Sequence, residues 1–339
     1  MTIRVLVVND SATARAALLA ALADEPDIEV VGELRSGRNA AASVESLAPD
    51  VVLMDIVMPE VDGYETTRQI LRARPVPVLM VSASVSPGDV AVAMEALRAG
   101  AIAVLEAPPS PGDPRYDVRR RAIIHTIRSA AALPRRRVGR MSPAQSTQLP
   151  TDPAASFRTF EIVGVVASLG GPPVVAEILS RLVSEHPPVL LVQHLEASFV
   201  VGFVSWLRST AGTKVVLAEQ GMILQRGTVY VPPGDHHIGV AADGSVVLST
   251  SPPIAGFRPS GSYLLSSLAR TYGKLALGIV LTGMGTDGAD GASALHGAGG
   301  FVIAQDEASC AVAGMPNAAR GRGAVDLTLG PGAVAAHIR

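Results

Sequence analysis

The sequence predicts an α/β protein built as two domains, and three observations carry that reading. Short β-branched runs alternate with helix-period stretches throughout, as in strand–helix–strand units wound around parallel sheets. At 339 residues the chain is longer than one hydrophobic core usually serves. A stretch from Leu133 to Ser156, rich in Pro, Ser, Thr and Gln and without hydrophobic periodicity, separates two such alternations. The expected organisation is a doubly wound five-stranded parallel domain over residues 1–132, a flexible linker over 133–156, and a second α/β domain with a mostly parallel sheet over 157–339.

Composition narrows the class of protein. A hydrophobic fraction of 48% with only 4% aromatics describes an Ala/Val/Leu-rich globular chain and excludes one dominated by disorder. The net charge of −2 supplies no general attraction to nucleic acid or to an anionic membrane. Arg135, Arg136, Arg137 and Arg140 form a basic run, but no aromatic interleaving or recognition-helix pattern follows it, so a solvated linker is expected and no nucleic-acid partner. Cys310, the single cysteine, excludes an internal disulfide framework and fits a reducing compartment. The opening MTIRVLVVND starts a strand without a signal-peptide pattern, and apolar runs such as Ile162 to Leu169 are far shorter than a membrane span. A cytoplasmic protein without membrane insertion is expected.

In the first half the strands are IRVLVVND, IEVVGEL, VVLMD, PVLMVSAS and AIAVLEAPP. Helices are expected around Ala12 to Ala23, Ala40 to Leu47, Tyr64 to Ala73, Val90 to Arg98 and Tyr116 to Ala132. In such a sheet the carboxyl ends of the strands gather at one edge, so Asp10, Asp55 and Ser82 converge there. Two carboxylates and a hydroxyl at one point suit Mg²⁺, which favours hard oxygen ligands, together with a phosphoryl group. A single aspartate ending a strand is more often a turn residue; the joint pattern is the specific signal.

The second half is organised around Phe160 to Pro173, FEIVGVVASLGGPP, which runs from a buried-strand pattern through Ser168 into two glycines and a helix start. The following VVAEILSRLV reads as an amphipathic helix. Next come PVLLVQH, a helix through Phe199 to Leu207, KVVLAE, and two short strands at TVYVPPG and SVVLS that suggest a hairpin insertion over Val229 to Leu248. A helix at Gly261 to Tyr272, LALGIVLTGM, a Gly/Ala-rich helix after Asp287, FVIAQDE and a helix after Gly314 complete the pattern. Ser168, His194 and Asp287 thus stand at three strand ends of one sheet. A serine hydroxyl is a weak nucleophile until an imidazole takes its proton, and a carboxylate fixes the tautomer of that imidazole and stabilises its cation. Singly, each residue has a plainer reading as a helix cap, a strand-end histidine or a turn residue. Together they describe a serine hydrolase, with the N–H of Met284 in the Gly283-Met284-Gly285 turn as candidate oxyanion donor.

Two resemblances refine this reading. VVND, VVLMDIVMPEVDG, VLMVSAS and AGAIAVLEAPP resemble the response-regulator receiver family over residues 3 to 130. The resemblance implies that Asp55 accepts phosphate from a histidine kinase, that Asp10, Asp55 and the backbone carbonyl of Val57 hold Mg²⁺, and that Ser82 senses the phosphoryl group. Asn9 stands where that family usually has an acidic residue, and Ala107 where it places a lysine; loss of the ammonium weakens coupling between modification and conformation. VASLGGPP, LLVQH, VYVPPGDHH, FRPS, LTGMGTDGADG and QDEASCAVAGMP are similar to the catalytic domain of the chemotaxis protein-glutamate methylesterase family over residues 158 to 332. This second resemblance implies Ser168 as nucleophile, His194 as general base and acid, Asp287 as orienting carboxylate and Met284 as oxyanion contributor. The implied substrates are glutamate methyl esters of methyl-accepting chemotaxis receptors, with methanol released, often with glutamine deamidation as well. The implied phosphodonor is the chemotaxis histidine kinase, and the receiver domain covers the catalytic face until phosphorylated. No cofactor is implied for the ester reaction. Leu169 replaces the threonine common after the serine, which lowers the expected rate rather than the assignment.

A rival reading is a regulatory module that binds receptor or kinase without catalysis; the complete set of three groups argues against it. Adjacent His236 and His237 on a strand face opposite ways and lack further ligand spacing for a metal. Arg258 in FRPSG is a candidate for the mouth of the site, or an ordinary surface arginine.

Overall fold

The computed structural model describes residues 2–58, 63–82, 87–133 and 158–339. The linker expected over 133–156 lies, from residue 134 on, outside the described residues, as do parts of the VVLMDIVMPEVDG and VLMVSAS motifs. The chain divides into two compact units, Met1–Ser142 and Pro143–Arg339.

The N-terminal unit alternates β1 (Ile3–Val8), α1 (Ala12–Leu22), β2 (Ile28–Leu34), α2 (Ala40–Leu47), β3 (Val51–Asp55), α3 (Gly63–Ala73), β4 (Val78–Ser82), α4 (Pro87–Ala99), β5 (Ala103–Glu106) and α5 (Tyr116–Ala131). Its five strands pair in parallel in the order β2-β1-β3-β4-β5. Val5 to Val8, Val51 to Met54 and Val78 to Val81 are all buried, as expected where helices cover both faces of a parallel sheet. Ser11 starts α1 as its N-cap, its hydroxyl accepting from Ala14 N–H at 3.2 Å. The strand order reverses beside β1, which opens a crevice between the ends of β1 and β3, where Asp10 and Asp55 lie.

The C-terminal unit follows with β6 (Ile162–Ala167), α6 (Gly171–Leu179), β7 (Val189–Gln193), α7 (Ala197–Ala211), β8 (Lys214–Leu217), β9 (Thr228–Val231), β10 (His237–Val240), β11 (Val246–Ser249), α8 (Gly261–Thr271), β12 (Ala276–Val280), α9 (Ala289–Gly297), β13 (Phe301–Gln305), α10 (Gly314–Gly321), β14 (Leu327–Leu329) and α11 (Pro331–Ala335). Seven strands form one all-parallel sheet in the order β14-β13-β12-β6-β7-β9-β8. The core lies on both of its faces, with Val166, Leu190, Val280, Leu264, Leu265 and Leu295 fully buried. Strand β6 sits at the middle, and the order reverses around it, so its carboxyl end faces the crevice.

Two expectations change here. The hairpin is β10 with β11, whereas TVYV is β9, an interior strand of the large sheet. All four β9 residues are buried, which suits a strand flanked by β7 and β8 and not a two-stranded ribbon. Helix α6 ends at Leu179 rather than running through SRLV, and Val183 is exposed. Past Leu179 the chain turns, with Arg181 N–H on the Ile178 carbonyl and Leu182 N–H on the Leu179 carbonyl (3.2 Å each), and Pro187 and Pro188 then restrict the entry to β7. Among the described residues no helix is long and apolar enough to cross a membrane.

Candidate active site

Ser168 directly follows β6 and is clamped through its backbone. Its N–H donates to Thr282 C=O beyond β12 (3.0 Å), and its own carbonyl accepts from Gly171 N–H (2.9 Å) and from the buried Gln193 carboxamide (2.8 Å). The turn into α6 needs a left-handed residue, supplied by Gly170 at φ 72°. On the other side His194 N–H donates to Ala167 C=O (3.0 Å), which seats the histidine beside the serine's strand end. Ser168 and Leu169 are half-buried, and Thr282 Oγ1 lies 3.0 Å from the Leu169 carbonyl.

Asp287 is 1% exposed, and both of its oxygens are filled. Oδ1 accepts from the Ser260 hydroxyl (2.7 Å) and Ser262 N–H (3.0 Å); Oδ2 accepts from Gly261 N–H (2.6 Å) and His194 Nε2 (2.8 Å). Two of these donors are free amides at the start of α8, where the helix dipole also favours an anion. Only glycine fits at position 261, since a Cβ there would stand 2.1 Å from Val166 on β6. Burial works against ionisation, but the hydrogen bond and charge of His194 and the bonds from Ser260 and Ser262 outweigh it, holding the Asp287 carboxyl well below the usual carboxylate range.

The His194 imidazole spends Nε2 on Asp287, while its Nδ1 is buried and has no hydrogen-bond partner among the described residues. This is the reverse of the template serine proteases, where Nδ1 faces the carboxylate. Phe257 lies flat on the imidazole, ring centroids 4.0 Å apart and planes 6° from parallel. A tight turn with paired bonds between Ile254 and Phe257 (3.0 Å each) presents that ring. Sequence reasoning missed Phe257 and Ser260, although both fall in FRPS just before a predicted helix start. Met284 follows Gly283, whose Cα packs so closely on Ser168 that a Cβ would stand 2.8 Å from the serine's Cβ. The Met284 N–H enters no hydrogen bond among the described residues. Arg258 is occupied elsewhere, pairing with Asp235 (2.8 Å) and with the carbonyls of Thr250 (2.7 Å) and Ser251 (3.1 Å), so it fastens the strap carrying Phe257.

In the N-terminal unit Asp10, Asp55 and Ser82 lie at the ends of neighbouring strands, and Ala107 N–H donates to the Ser82 carbonyl (2.7 Å) at the same rim. The Asp55 carboxyl is pushed up to about 6, chiefly by burial; N–H bonds from Ile56 and Val57 oppose the rise, and the charge and contact of Asp10 add to it. Asn9 is buried, its Oδ1 accepting from Ser11 N–H (2.9 Å) and its Nδ2 left without a partner among the described residues. Its carbonyl is held by the buried Arg15 (2.8 Å). Two carboxylates in like-charge contact are donors that fit a hard divalent cation. Among the described residues no group of three or more His, Cys, Asp or Glu side chains gathers as a metal site.

The family model for CheB methylesterase matches residues 163–338, and that for the response regulator receiver domain matches residues 5–113. Protein-glutamate methylesterase/protein-glutamine glutaminase 3 of Anaeromyxobacter dehalogenans (strain 2CP-C) is 42% identical over 335 residues, covering 98% of this chain and 97% of its own. Protein-glutamate methylesterase/protein-glutamine glutaminase 4 of Myxococcus xanthus (strain DK1622) is 41% identical over 317 residues, 93% of this chain and 90% of its own. The crystal structure of the Thermotoga maritima CheB methylesterase catalytic domain is 34% identical with a TM-score of 0.51, covering 53% of this chain and 98% of that one.

Proposed function

Because the chain belongs to the CheB methylesterase family, with a response regulator receiver domain at its N-terminal end, we propose that it hydrolyses glutamate methyl esters on chemoreceptors and deamidates receptor glutamines. Ser168 is the nucleophile, His194 the general base and acid, Asp287 its orienting carboxylate, and Met284 the oxyanion donor. In this reading the receiver spans 1–132, a linker 133–156 and the hydrolase 157–339, all in the cytoplasm. The observation that carries the chemistry is the His194 ring: one nitrogen bound to an ionised, fully satisfied Asp287, the other unpartnered at a strand end adjoining that of Ser168.

Ser168 Oγ attacks the ester carbonyl as His194 Nδ1 takes its proton, and Met284 N–H faces the oxygen that becomes negative. Collapse of the tetrahedral intermediate breaks the C–O bond and expels methoxide, which the His194 imidazolium protonates to methanol; from a glutamine amide it breaks the C–N bond, and the same proton goes to the departing nitrogen to release ammonia. Water, deprotonated by the same nitrogen, then opens the acyl-serine to a glutamate carboxylate. Asp287 stays ionised throughout and stabilises the imidazolium formed in each half-reaction.

In the receiver, Asp10, Asp55 and the Val57 carbonyl would hold Mg²⁺, whose charge offsets that of an incoming phosphoryl group. Asp55 accepts that group from the chemotaxis histidine kinase, and Ser82 contacts it. Ala107 offers no ammonium, so the link from phosphorylation to activity is weaker than in receivers carrying a lysine there. The deciding experiment is methanol release from methylated receptor by the full chain and by Ser168→Ala. Turnover is expected to vanish in the variant while the fold persists; wild-type turnover in Ser168→Ala would sink the proposal.

A further inference from the structure

We infer that His237 is a positioning residue of the hydrolytic site, setting the start of α8 so that its amides and Ser260 grip Asp287. This rests on the proposed function for its kinetic meaning, and on geometry alone for the contacts. His237 opens β10, is 0% exposed and touches neither Ser168 nor His194 by any hydrogen bond. Its Nδ1 accepts from the Ser260 backbone N–H at 3.1 Å, so the ring proton resides on Nε2, which faces the Pro252 carbonyl at 3.3 Å. Tyr263, one turn into α8, stacks on the ring with centroids 4.6 Å apart.

The consequence runs through Ser260. That residue is the N-cap of α8, its hydroxyl accepting from Tyr263 N–H (3.3 Å) and donating to Asp287 (2.7 Å), while the next two amides donate to the same carboxylate. Three of the four donors on Asp287 therefore move with Ser260, and His237 is the side chain that fixes the Ser260 amide. The other end of β10 is tied to the same helix: Val240 N–H donates to Ser267 Oγ (2.9 Å), and Thr271 Oγ1 donates to the Val240 carbonyl (3.2 Å). Along its length the β10–β11 hairpin thus splints α8. Its role is to hold the carboxylate that orients His194, and the pair His237-Ser260 is the contact nearest the chemistry.

The requirement is for an acceptor at the Nδ1 place, and three variants of the full chain separate that from bulk. Asn carries Oδ1 at the same bond distance from the backbone as Nδ1, Gln carries its oxygen one bond further out, and Leu places a methyl at the Nδ1 place. Displacing the carboxylate by a fraction of an ångström to an ångström is expected to cost up to about 100-fold in kcat, so H237L and H237Q should fall roughly 30- to 100-fold with KM nearly unchanged, and H237N should stay within about 5-fold of wild type. The low-field proton resonance of the His194-Asp287 hydrogen bond should persist in H237N and shift or broaden in H237Q and H237L. That resonance is read without turnover, so it tests the contact even if Ser168→Ala refutes the hydrolase reading. The inference is overturned by a folded H237L with wild-type kcat and an unmoved resonance, or by H237N failing as badly as H237Q. Unfolding of both polar variants, followed by Trp206 fluorescence, would also overturn it, since His237 would then serve stability alone.

Discussion

Replacing Asp287 with Asn tests the core of the site, because the structure says what one exchanged atom must do. The carboxylate accepts four hydrogen bonds on two oxygens. In Asp287→Asn the better arrangement keeps the amide oxygen on Gly261 N–H and His194 Nε2–H and turns the NH₂ toward Ser260 and Ser262. The Ser260 hydroxyl can rotate to accept, but Ser262 N–H cannot, so one buried donor loses its partner. An orphaned buried N–H costs about 1–3 kcal/mol, and the remaining bonds lose their charge assistance, so a net loss of about 2–3 kcal/mol is expected. For a unit of this size that is roughly 4–12 °C in Tm. Trp206, the single tryptophan, is 5% exposed on α7, so its fluorescence reports the unfolding of the C-terminal unit separately from the receiver.

The pH dependence supplies a second readout of the same change. The folded-state pKa of Asp287 is depressed below its ordinary value of 3.8, so its stabilisation is present above that value and is lost as pH falls below it. The Tm gap between wild type and Asp287→Asn should therefore be full at neutral pH and narrow in acid below about 4. Turnover should fall by up to about 10⁴-fold, since a neutral amide on His194 Nε2–H cannot stabilise the imidazolium as the carboxylate does. An Asp287→Asn protein as stable as wild type at neutral pH, or a gap that widens in acid, would refute the reasoning.

Three further outcomes are expected. Phe257→Leu removes the ring that lies on His194 and the stabilisation it lends the imidazolium, about 0.5–2 kcal/mol, so kcat/KM should drop roughly 2- to 30-fold while Phe257→Trp retains activity; equal activity of the Leu variant would show the stack to be idle. Mg²⁺ binding, followed by calorimetry, should weaken as pH falls through about 6, because Asp55 takes up the proton that competes with the metal; pH-independent affinity would contradict the raised value. In metal-free buffer the same raised pKa means that Asp55 favours the folded state less as pH rises from 3.8 to about 6, the opposite sign to Asp287. Ala107→Lys should strengthen the activation of methanol release by a phosphodonor, since Ala107 lies beside Ser82 at the rim and a lysine there brings an ammonium toward the phosphoryl group. An unchanged ratio of activities with and without phosphodonor would place the control elsewhere.

Local pattern was enough to read the alternation of strands and helices, because side-chain periodicity and turn residues are properties of neighbouring positions. It was enough, too, to set Ser168 and His194 at strand ends, where ILV-rich runs stop and parallel strands gather at one rim, whereas Asp287 lies beyond the glycine-rich turn after β12, just ahead of α9. What it left open was long-range. TVYV and SVVLS are both short apolar strands, and only burial on both faces made the first an interior strand of the large sheet and the second half of a hairpin. Which nitrogen of His194 meets Asp287 depends on ring rotation, set by Phe257 and by α8, elements more than 60 residues away in sequence. Ser260 and His237 carry no signal of their own, since a serine before a helix and a histidine opening a strand are common. Their part emerges because the hairpin packs along α8, and close packing turns two ordinary polar residues into the support of a buried carboxylate. Spacing along the chain determined which chemical groups reach the rim; the distances and orientations among them were decided by tertiary packing, which couples positions that no local period connects.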